Sequence, residues 1–175
     1  MPISLHAAFV PSCLQLIAAT GTLIDKAAAA CAEQGKDFSS VADARLAPDM
    51  FDFCYQVKSM RVHSIGAIEG VRAGTFSPDL SEAPRDADGL KQVLDDARQK
   101  LEAVTVEEME SFVGAPAEFR FKDFVMPFKA EDFLLSFSQP NFYFHATTAY
   151  DLVRAQGIAI GKRDYLGTPR MTAPQ

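Results

Sequence analysis

Apolar residues recur at steps of three and four along four long segments of this chain, as they do on the buried faces of amphipathic helices. Gly35 ends the first segment and Pro48 begins the second, as glycine and proline commonly do at helix ends. The sequence thus predicts four helices, at about Leu5–Gln34, Pro48 to Gly70 or Val71, Asp88–Val104 and Glu131–Gln156. Four such helices in 175 residues predict an all-α four-helix bundle in a single domain, 1–175.

The period of the pattern changes between residues 117 and 128. Phe119, Phe121 and Val125 alternate with charged residues there, which favours strands over a helix. We therefore expect a short β-hairpin or extended arm before the last helix, which either caps the bundle or reaches over a partner chain. Glycines and prolines after Ile158 predict an extended tail, whose residues 168–175 we expect to be mobile.

Polar residues interrupt one apolar face of the fourth predicted helix. Steps of four and three lead along this face through Leu134, Ser138, Asn141, His145, Thr148 and Leu152. Asn141 and His145 are therefore predicted to project into the bundle, where each needs a partner, because an unpaired buried polar group costs about 1–3 kcal/mol. A neighbouring face is predicted to be core and consists of Phe133, Phe137, Pro140 and Phe144. Proline inside a helix also predicts a kink or a restart at Pro140.

Three residues flank the apolar stripe of the second predicted helix. Asp49, Gln56 and His63 follow one another at intervals of seven residues. They suit a solvated edge, with Asp49 stabilised in the first turn by the helix dipole. If that edge faces the fourth helix instead, Gln56 and His145 meet. The sequence leaves both arrangements open.

Charge and cysteine content narrow the functional classes. The chain carries 17 Lys and Arg against 23 Asp and Glu, a net charge of −6, which argues against nucleic acids and anionic membranes as partners. No Lys or Arg precedes Lys26, and Pro11 interrupts the first apolar stretch, so neither a signal peptide nor a membrane span is predicted. Cys13, Cys31 and Cys54 form no C-x-x-C pair and are predicted to be small buried residues. We therefore expect a soluble cytoplasmic protein.

Three motifs follow one another in the chain: Arg45–Phe51 (RLAPDMF), Pro140–Tyr150 (PNFYFHATTAY) and Gly161–Gly167 (GKRDYLG). Over about Leu5 to Gly167 the chain thereby resembles a bacterial family known only as a domain of unknown function, which is grouped with the DinB/YfiT-like helical bundles. The resemblance implies a four-helix bundle with a long crossover, often dimeric. It also implies a divalent metal in several relatives, held by one histidine on the second helix and two at H-x-x-x-H spacing on the last. Some of those relatives are thiol-dependent transferases.

This chain has one histidine where the resemblance implies three. Asn141 and His145 stand at the H-x-x-x-H spacing, and Gln56 stands near the second-helix position. Neutral amides are poor ligands for zinc, so we expect no tightly bound metal cofactor. We predict instead a polar pocket of Gln56, Asn141 and His145 that binds a small molecule. His145 would be its acid or base, as the one group there that titrates near neutral pH.

Two alternatives stay open, and with them the question of whether the chain is an enzyme. In the first, the chain is a metal-dependent transferase with His145, and His63 or Asp49, as ligands. In the second, it is a structural or interaction protein whose polar seam only sets the helix register. Its 14 phenylalanines suit a homodimer interface, because a helix that is apolar nearly all round must be covered.

Overall fold

The computed structural model describes residues 2–172. Its elements are, in chain order, α1 (Leu5–Glu33), α2 (Ser39–Ala42), α3 (Phe53–Val62), α4 (Ile65–Ala73), β1 (Thr75–Phe76), α5 (Ala87–Glu102), α6 (Val106–Ser111), β2 (Pro116–Phe121), β3 (Phe124–Lys129), α7 (Ala130–Asp132), a π-helical segment (Phe133–Ser138), α8 (Gln139–Ala155) and α9 (Lys162–Leu166). Helices α1, α5, α3 and α8 contact one another in that order and close into a ring, since α8 also packs on α1. The predicted helical bundle with a strand arm before the last helix is confirmed.

Short polar side chains determine where the bundle helices begin. Ser4 Oγ accepts a hydrogen bond from the Ala7 amide, and Asp86 does the same for Gly89. Asp52 caps α3 by accepting from the Tyr55 amide at 3.0 Å. The predicted start of this helix at Pro48 is therefore wrong: Pro48 and Asp49 lie in the turn before it, and Asp49 is not a first-turn carboxylate.

The second predicted helix is interrupted in its middle. His63 follows α3 and still donates a helical hydrogen bond to the Ser59 carbonyl, whereas Ser64 (φ −108°, ψ −96°) leaves the helical conformation before α4 begins. The Ser64 hydroxyl donates to the Met60 carbonyl at 2.6 Å and so competes with the backbone for an acceptor. The side chains that form the apolar stripe of this segment are nevertheless buried on both sides of the break: Phe53, Val57, Met60, Ser64, Ala67 and Val71.

The arm is a β-hairpin that packs on the bundle. Strands β2 and β3 pair antiparallel through a turn at Lys122 (φ 54°), and β1 adds a parallel third strand beside β2. On the inner side of the sheet, Phe119 and Phe128 contact the ring of Phe137 in the π-helical segment. The arm therefore covers one side of the bundle, which is one of the two roles predicted for it.

The last helix is continuous through a π-helical segment that ends just before Pro140. A wider turn there accommodates a proline, which cannot donate to the preceding carbonyl and crowds it. The predicted apolar face is only half correct, because Phe133 is buried while Pro140 and Phe144 are exposed. The buried face of α8 is formed by Phe142, Ala146, Ala149 and Val153. Phe144 follows Phe142 by two residues, which places it on the opposite side of the helix.

The predicted extended tail contains a short helix. In α9 the Asp164 carboxylate accepts from the Gly161 amide at 2.7 Å and pairs with Lys26 of α1 at 2.5 Å. The Leu166 carbonyl accepts from Gln15 of α1. These contacts with α1 hold a turn of helix that the glycines alone did not indicate. Mobility of residues 168–175 stays a prediction, and residues 173–175 lie outside the described part of the chain.

Within residues 2–172, helix α1 alone is long and apolar enough to cross a membrane by length and composition, and half of its most apolar window is buried against the rest of the protein. Cys13, Cys31 and Cys54 are all buried and free, which confirms that they act as small apolar residues. Burial raises the pKa of the Cys54 thiol to about 11, so this side chain stays a thiol at neutral pH.

Two glycines in helices are expected to respond oppositely to alanine. A Cβ at Gly70 would lie 2.7 Å from the Phe76 Cβ, so Gly70→Ala should lower the free energy of unfolding by about 1–3 kcal/mol. A Cβ at Gly21 in α1 would meet nothing within 4 Å, so Gly21→Ala should raise it by about 0.5–1 kcal/mol. Urea denaturation of the two variants measures both effects. Equal midpoints for Gly70→Ala and the unchanged chain would show that the strand β1 does not press on α4.

Candidate functional site

The structure brings Gln56 of α3 and His145 of α8 together inside the bundle. His145 Nδ1 lies 2.7 Å from Gln56 Oε1, and Gln56 is buried. The amide nitrogen of Gln56 donates to the Phe51 carbonyl at 2.9 Å, just before α3 begins. Of the two arrangements that the sequence left open, the one in which these side chains meet is therefore the observed one.

The hydrogen bonds of Gln56 determine the tautomer of His145. Because Nε2 of Gln56 points to a carbonyl acceptor, its Oε1 faces the imidazole and must accept. Nδ1 of His145 therefore carries the proton, and Nε2 keeps a lone pair. The half-buried His145 is thus held as a neutral ring with one acceptor nitrogen outside this pair.

His63 stacks on His145. The ring centroids are 5.5 Å apart, and the planes are inclined by 20°. Nδ1 of His63 lies 3.2 Å from Ser138 Oγ, and the Ser138 hydroxyl donates to the His63 carbonyl at 3.3 Å. With the hydroxyl proton at that carbonyl, Ser138 accepts from Nδ1, and the free lone pair of His63 is again on Nε2. The break in the second helix places His63 for this contact. We call His63 and His145 the imidazole pair.

Burial keeps the imidazole pair uncharged. It lowers the pKa of His145 to about 4. The pKa of His63 falls to about 3 through burial and, secondarily, through repulsion by His145. Both rings are therefore neutral at pH 7, and the expectation that His145 titrates near neutral pH is wrong, because the low polarity of its surroundings penalises the imidazolium. At neutral pH each ring donates through Nδ1 and keeps an unprotonated Nε2 that can accept a hydrogen bond.

Asn141 and Asp49 stand apart from these bonds. Asn141 lies one turn before His145 and donates its amide to the Phe137 carbonyl in its own helix at 2.8 Å, instead of to Gln56 or His145. Asp49 is exposed in the turn before α3. Within residues 2–172, no third His, Cys, Asp or Glu joins the imidazole pair in a group that could hold a metal ion. The donor set is therefore two imidazoles, which does not fit a three-histidine metal site.

Two residues that sequence reasoning did not place at the site belong to it. Ser138 is buried and anchors His63, and Tyr55 lies edge-on to His145 with ring centroids 6.2 Å apart. Ser138 could have been found, because it lies on the polar face of the last helix two turns before His145. Tyr55 had no such signal. Tyr55 also lines a cavity of about 360 Å³, together with Phe51, Asp52, Ser81, Glu82, Ala83 and Arg85; neither imidazole lines it.

Replacing Gln56 by glutamate tests the electrostatics of His145. A carboxylate that accepts from Nδ1 favours the imidazolium, so Gln56→Glu is expected to raise the pKa of His145 well above its value of about 4. Gln99→Glu adds the same charge on the exposed side of α5 and should leave this pKa unchanged, because solvent screens it. NMR titration of the ring resonances measures both. An unmoved pKa in Gln56→Glu would contradict the Gln56–His145 bond.

Comparisons with known proteins show the fold and the family of the chain. A family model described as "Domain of unknown function (DUF1993)" matches residues 5–166. The fold is similar to the crystal structure of a DinB family member protein from Shewanella denitrificans, with a TM-score of 0.81 and 22% sequence identity over 97% of this chain and 96% of that one. At this identity the likeness shows the fold alone. No curated protein matches the chain.

Proposed function

The chain belongs to the DUF1993 family of domains of unknown function, and from this premise we propose that it binds a small molecule at Gln56, Asn141 and His145 without a resident metal. The observation that carries the proposal is the 2.7 Å bond between Gln56 and His145. It uses the one proton of the neutral ring inside the protein and leaves Nε2 as an acceptor. A ligand at this site would therefore offer a hydroxyl or N–H group.

A second acceptor supports the same ligand class. The Asn141 amide nitrogen is used within its own helix, and within residues 2–172 its Oδ1 has no hydrogen-bond donor. Asn141 and His145 are one turn apart on α8, so two acceptors face the same side of the helix. A ligand with one or two donors gains up to two hydrogen bonds there, each of about 0.5–1.5 kcal/mol net.

The role proposed for His145 is a positioned acceptor that, as a weak base, can draw on the proton of a bound hydroxyl. Its lowered pKa makes full proton transfer unfavourable at pH 7. The structure of the pair therefore favours binding and polarisation of a ligand over acid catalysis. Ser138 and Gln56 act as positioning residues, since each holds a ring through Nδ1.

Phenol and anisole form a matched probe pair for this proposal. Both are small aromatic molecules, but only phenol has a hydroxyl donor. We expect phenol to shift the Nε2 resonance of His145 in the ¹⁵N spectrum and to bind more tightly than anisole. His145→Ala should remove that preference while circular dichroism shows an intact fold. Equal binding of phenol to the unchanged chain and to a folded His145→Ala variant would refute the proposal.

A metal-dependent transferase is the second candidate function. The supporting observation is that Nδ1 of both His63 and His145 lies against a side-chain oxygen, which is how metal-bound histidines are usually held. The incomplete donor set counts against it. Metal analysis of protein purified without chelators decides the matter. One equivalent of zinc, nickel, iron or manganese that is lost in His145→Ala would support this candidate, and substoichiometric metal would remove it.

A further inference from the structure

The cavity that Tyr55 lines has an aromatic wall. Phe51 is 55% exposed and stacks on Tyr55, with ring centroids 3.8 Å apart and planes inclined by 19°. The Nζ of Lys58 lies 5.4 Å from the centroid of Tyr55, so the inner ring already receives a cation. Phe51 is a large apolar ring left half in solvent at the edge of a cavity of about 360 Å³. An aromatic face in this position attracts a second cation through its quadrupole.

Lys58 holds the loop that contributes Ser81 and Glu82 to the cavity. Lys58 is buried, and its ammonium donates to the carbonyls of Asp79 and Ser81 and lies 3.5 Å from the Asp79 carboxylate. Ser81 lines the cavity, and Glu82 follows it. A buried ammonium with three acceptors fixes the backbone of this loop, because releasing them would leave the charge unpaired. The Glu82 carboxylate is therefore carried by a positioned segment.

Charge in and around the cavity favours a cationic ligand over an anionic one. Arg85 is committed to Asp52 at 2.9 Å and to Asp43, and Asp52 also pairs with Arg45. An anion would have to displace these carboxylates from Arg85. Glu82 has no ion pair within residues 2–172, so its charge is available to a ligand.

The total charge around the cavity also favours a cationic ligand. Four carboxylates and three cationic side chains lie in or around the cavity: Asp43, Asp52, Asp79 and Glu82, with Arg45, Lys58 and Arg85. Their net charge is therefore negative, as is that of the whole chain at −6. A negative field raises the local concentration of cations and weakens with added salt.

We propose that this cavity binds an organic cation of the quaternary ammonium class, with its methylated nitrogen on the outer face of Phe51 and with Glu82 as the counter-charge. A quaternary ammonium is weakly hydrated and brings no N–H groups that need acceptors, which suits a wall made of aromatic carbon. The carboxylate then supplies attraction without a hydrogen bond. This site uses the side chains of the aromatic wall and the loop, so it does not depend on the ligand proposed for His145.

Choline and its neutral carbon isostere 3,3-dimethylbutan-1-ol test the proposal. The two differ in charge and have nearly the same shape and the same hydroxyl. We expect isothermal titration calorimetry to give an affinity for choline at least about five-fold higher than for the isostere, as an exposed cation–π contact with a counter-charge allows. Added sodium chloride should lower the affinity for choline and leave the affinity for the isostere unchanged. Equal affinities for the two molecules would overturn the proposal.

Matched variants locate the site. Phe51→Leu keeps the backbone carbonyl that Gln56 uses and removes the ring, so it should abolish the preference for choline. Glu82→Gln should remove the salt dependence. Phe124→Leu is the control, because Phe124 is 58% exposed in the hairpin and does not line the cavity. A choline affinity that is unchanged in Phe51→Leu, or that falls equally in Phe124→Leu, would contradict the site, and circular dichroism verifies that each variant is folded.

Discussion

Replacing Phe133 by alanine is expected to lower the free energy of unfolding by about 3–5 kcal/mol, the range for phenylalanine in a well-packed core. Phe133 is fully buried at the start of the π-helical segment. Its ring contacts Phe76 of β1 at 5.2 Å, Phe128 of β3 at 5.7 Å and Phe137 at 5.6 Å between centroids. These contacts join the sheet to the last helix, so the cavity left by alanine would separate two parts of the core.

Phe144 provides a control within the same apolar pattern. It is 53% exposed on α8, so Phe144→Ala should change the free energy of unfolding by no more than about 0.5 kcal/mol. Thermal or urea unfolding of the two variants gives the comparison. A loss of stability as large for Phe144→Ala as for Phe133→Ala would mean that Phe144 is covered in solution, as a dimer interface would require. A Phe133→Ala variant of unchanged stability would contradict the packing of the sheet on the helix.

Acid is expected to destabilise the protein through the imidazole pair. The pKa values of His145 and His63 are about 4 and about 3 in the folded chain, below the ordinary 6.5 of the unfolded one. Between these values the unfolded chain binds protons that the folded chain does not, so the stabilisation present above pH 6.5 is lost as the pH falls toward the folded values. The slope is about 1.4 kcal/mol per pH unit for each histidine.

Single glutamine variants separate this contribution from that of the carboxylates. His63→Gln and His145→Gln each remove one titrating ring and keep an amide that can donate to Ser138 or Gln56. Each should reduce the slope of the unfolding free energy against pH, between about pH 6.5 and 5, by about 1.4 kcal/mol per pH unit. Most carboxylates remain ionised in this pH range. Urea unfolding at several pH values measures it. Variants that keep the full slope would show that the two rings are not buried as neutral groups.

The periodicity of apolar residues was sufficient to predict which helix faces are buried, because burial on one side of a helix requires apolar residues every three or four positions. It placed Leu134, Ser138, Thr148 and Leu152 inward, and all four are buried. The change to a period of two likewise predicted the hairpin. Both inferences concern spacing within one element, which the order of residues contains directly.

Contacts between elements could not be predicted from the periodicity of apolar residues. The start of α3 at Asp52 in place of Pro48, the break at Ser64 and the helix α9 each depend on a particular hydrogen bond. Phe144 has the same residue type and the same apparent spacing as the buried Phe133, but the π-helical segment between them widens the turn and shifts the buried face to Phe142, so Phe144 is exposed. Local spacing carries no information about which neighbour covers a face.

The candidate site was likewise predictable from the sequence only in part. The sequence by itself determined that Asn141 and His145 lie one turn apart on the same side of the last helix, because the helical repeat follows from residue order. Only the tertiary structure decided that Gln56 would hold His145, that His63 would stack on it and that both rings would be neutral at pH 7. Hydrogen-bond partners and pKa values depend on distance and burial in space, and these arise only when α3 packs against α8.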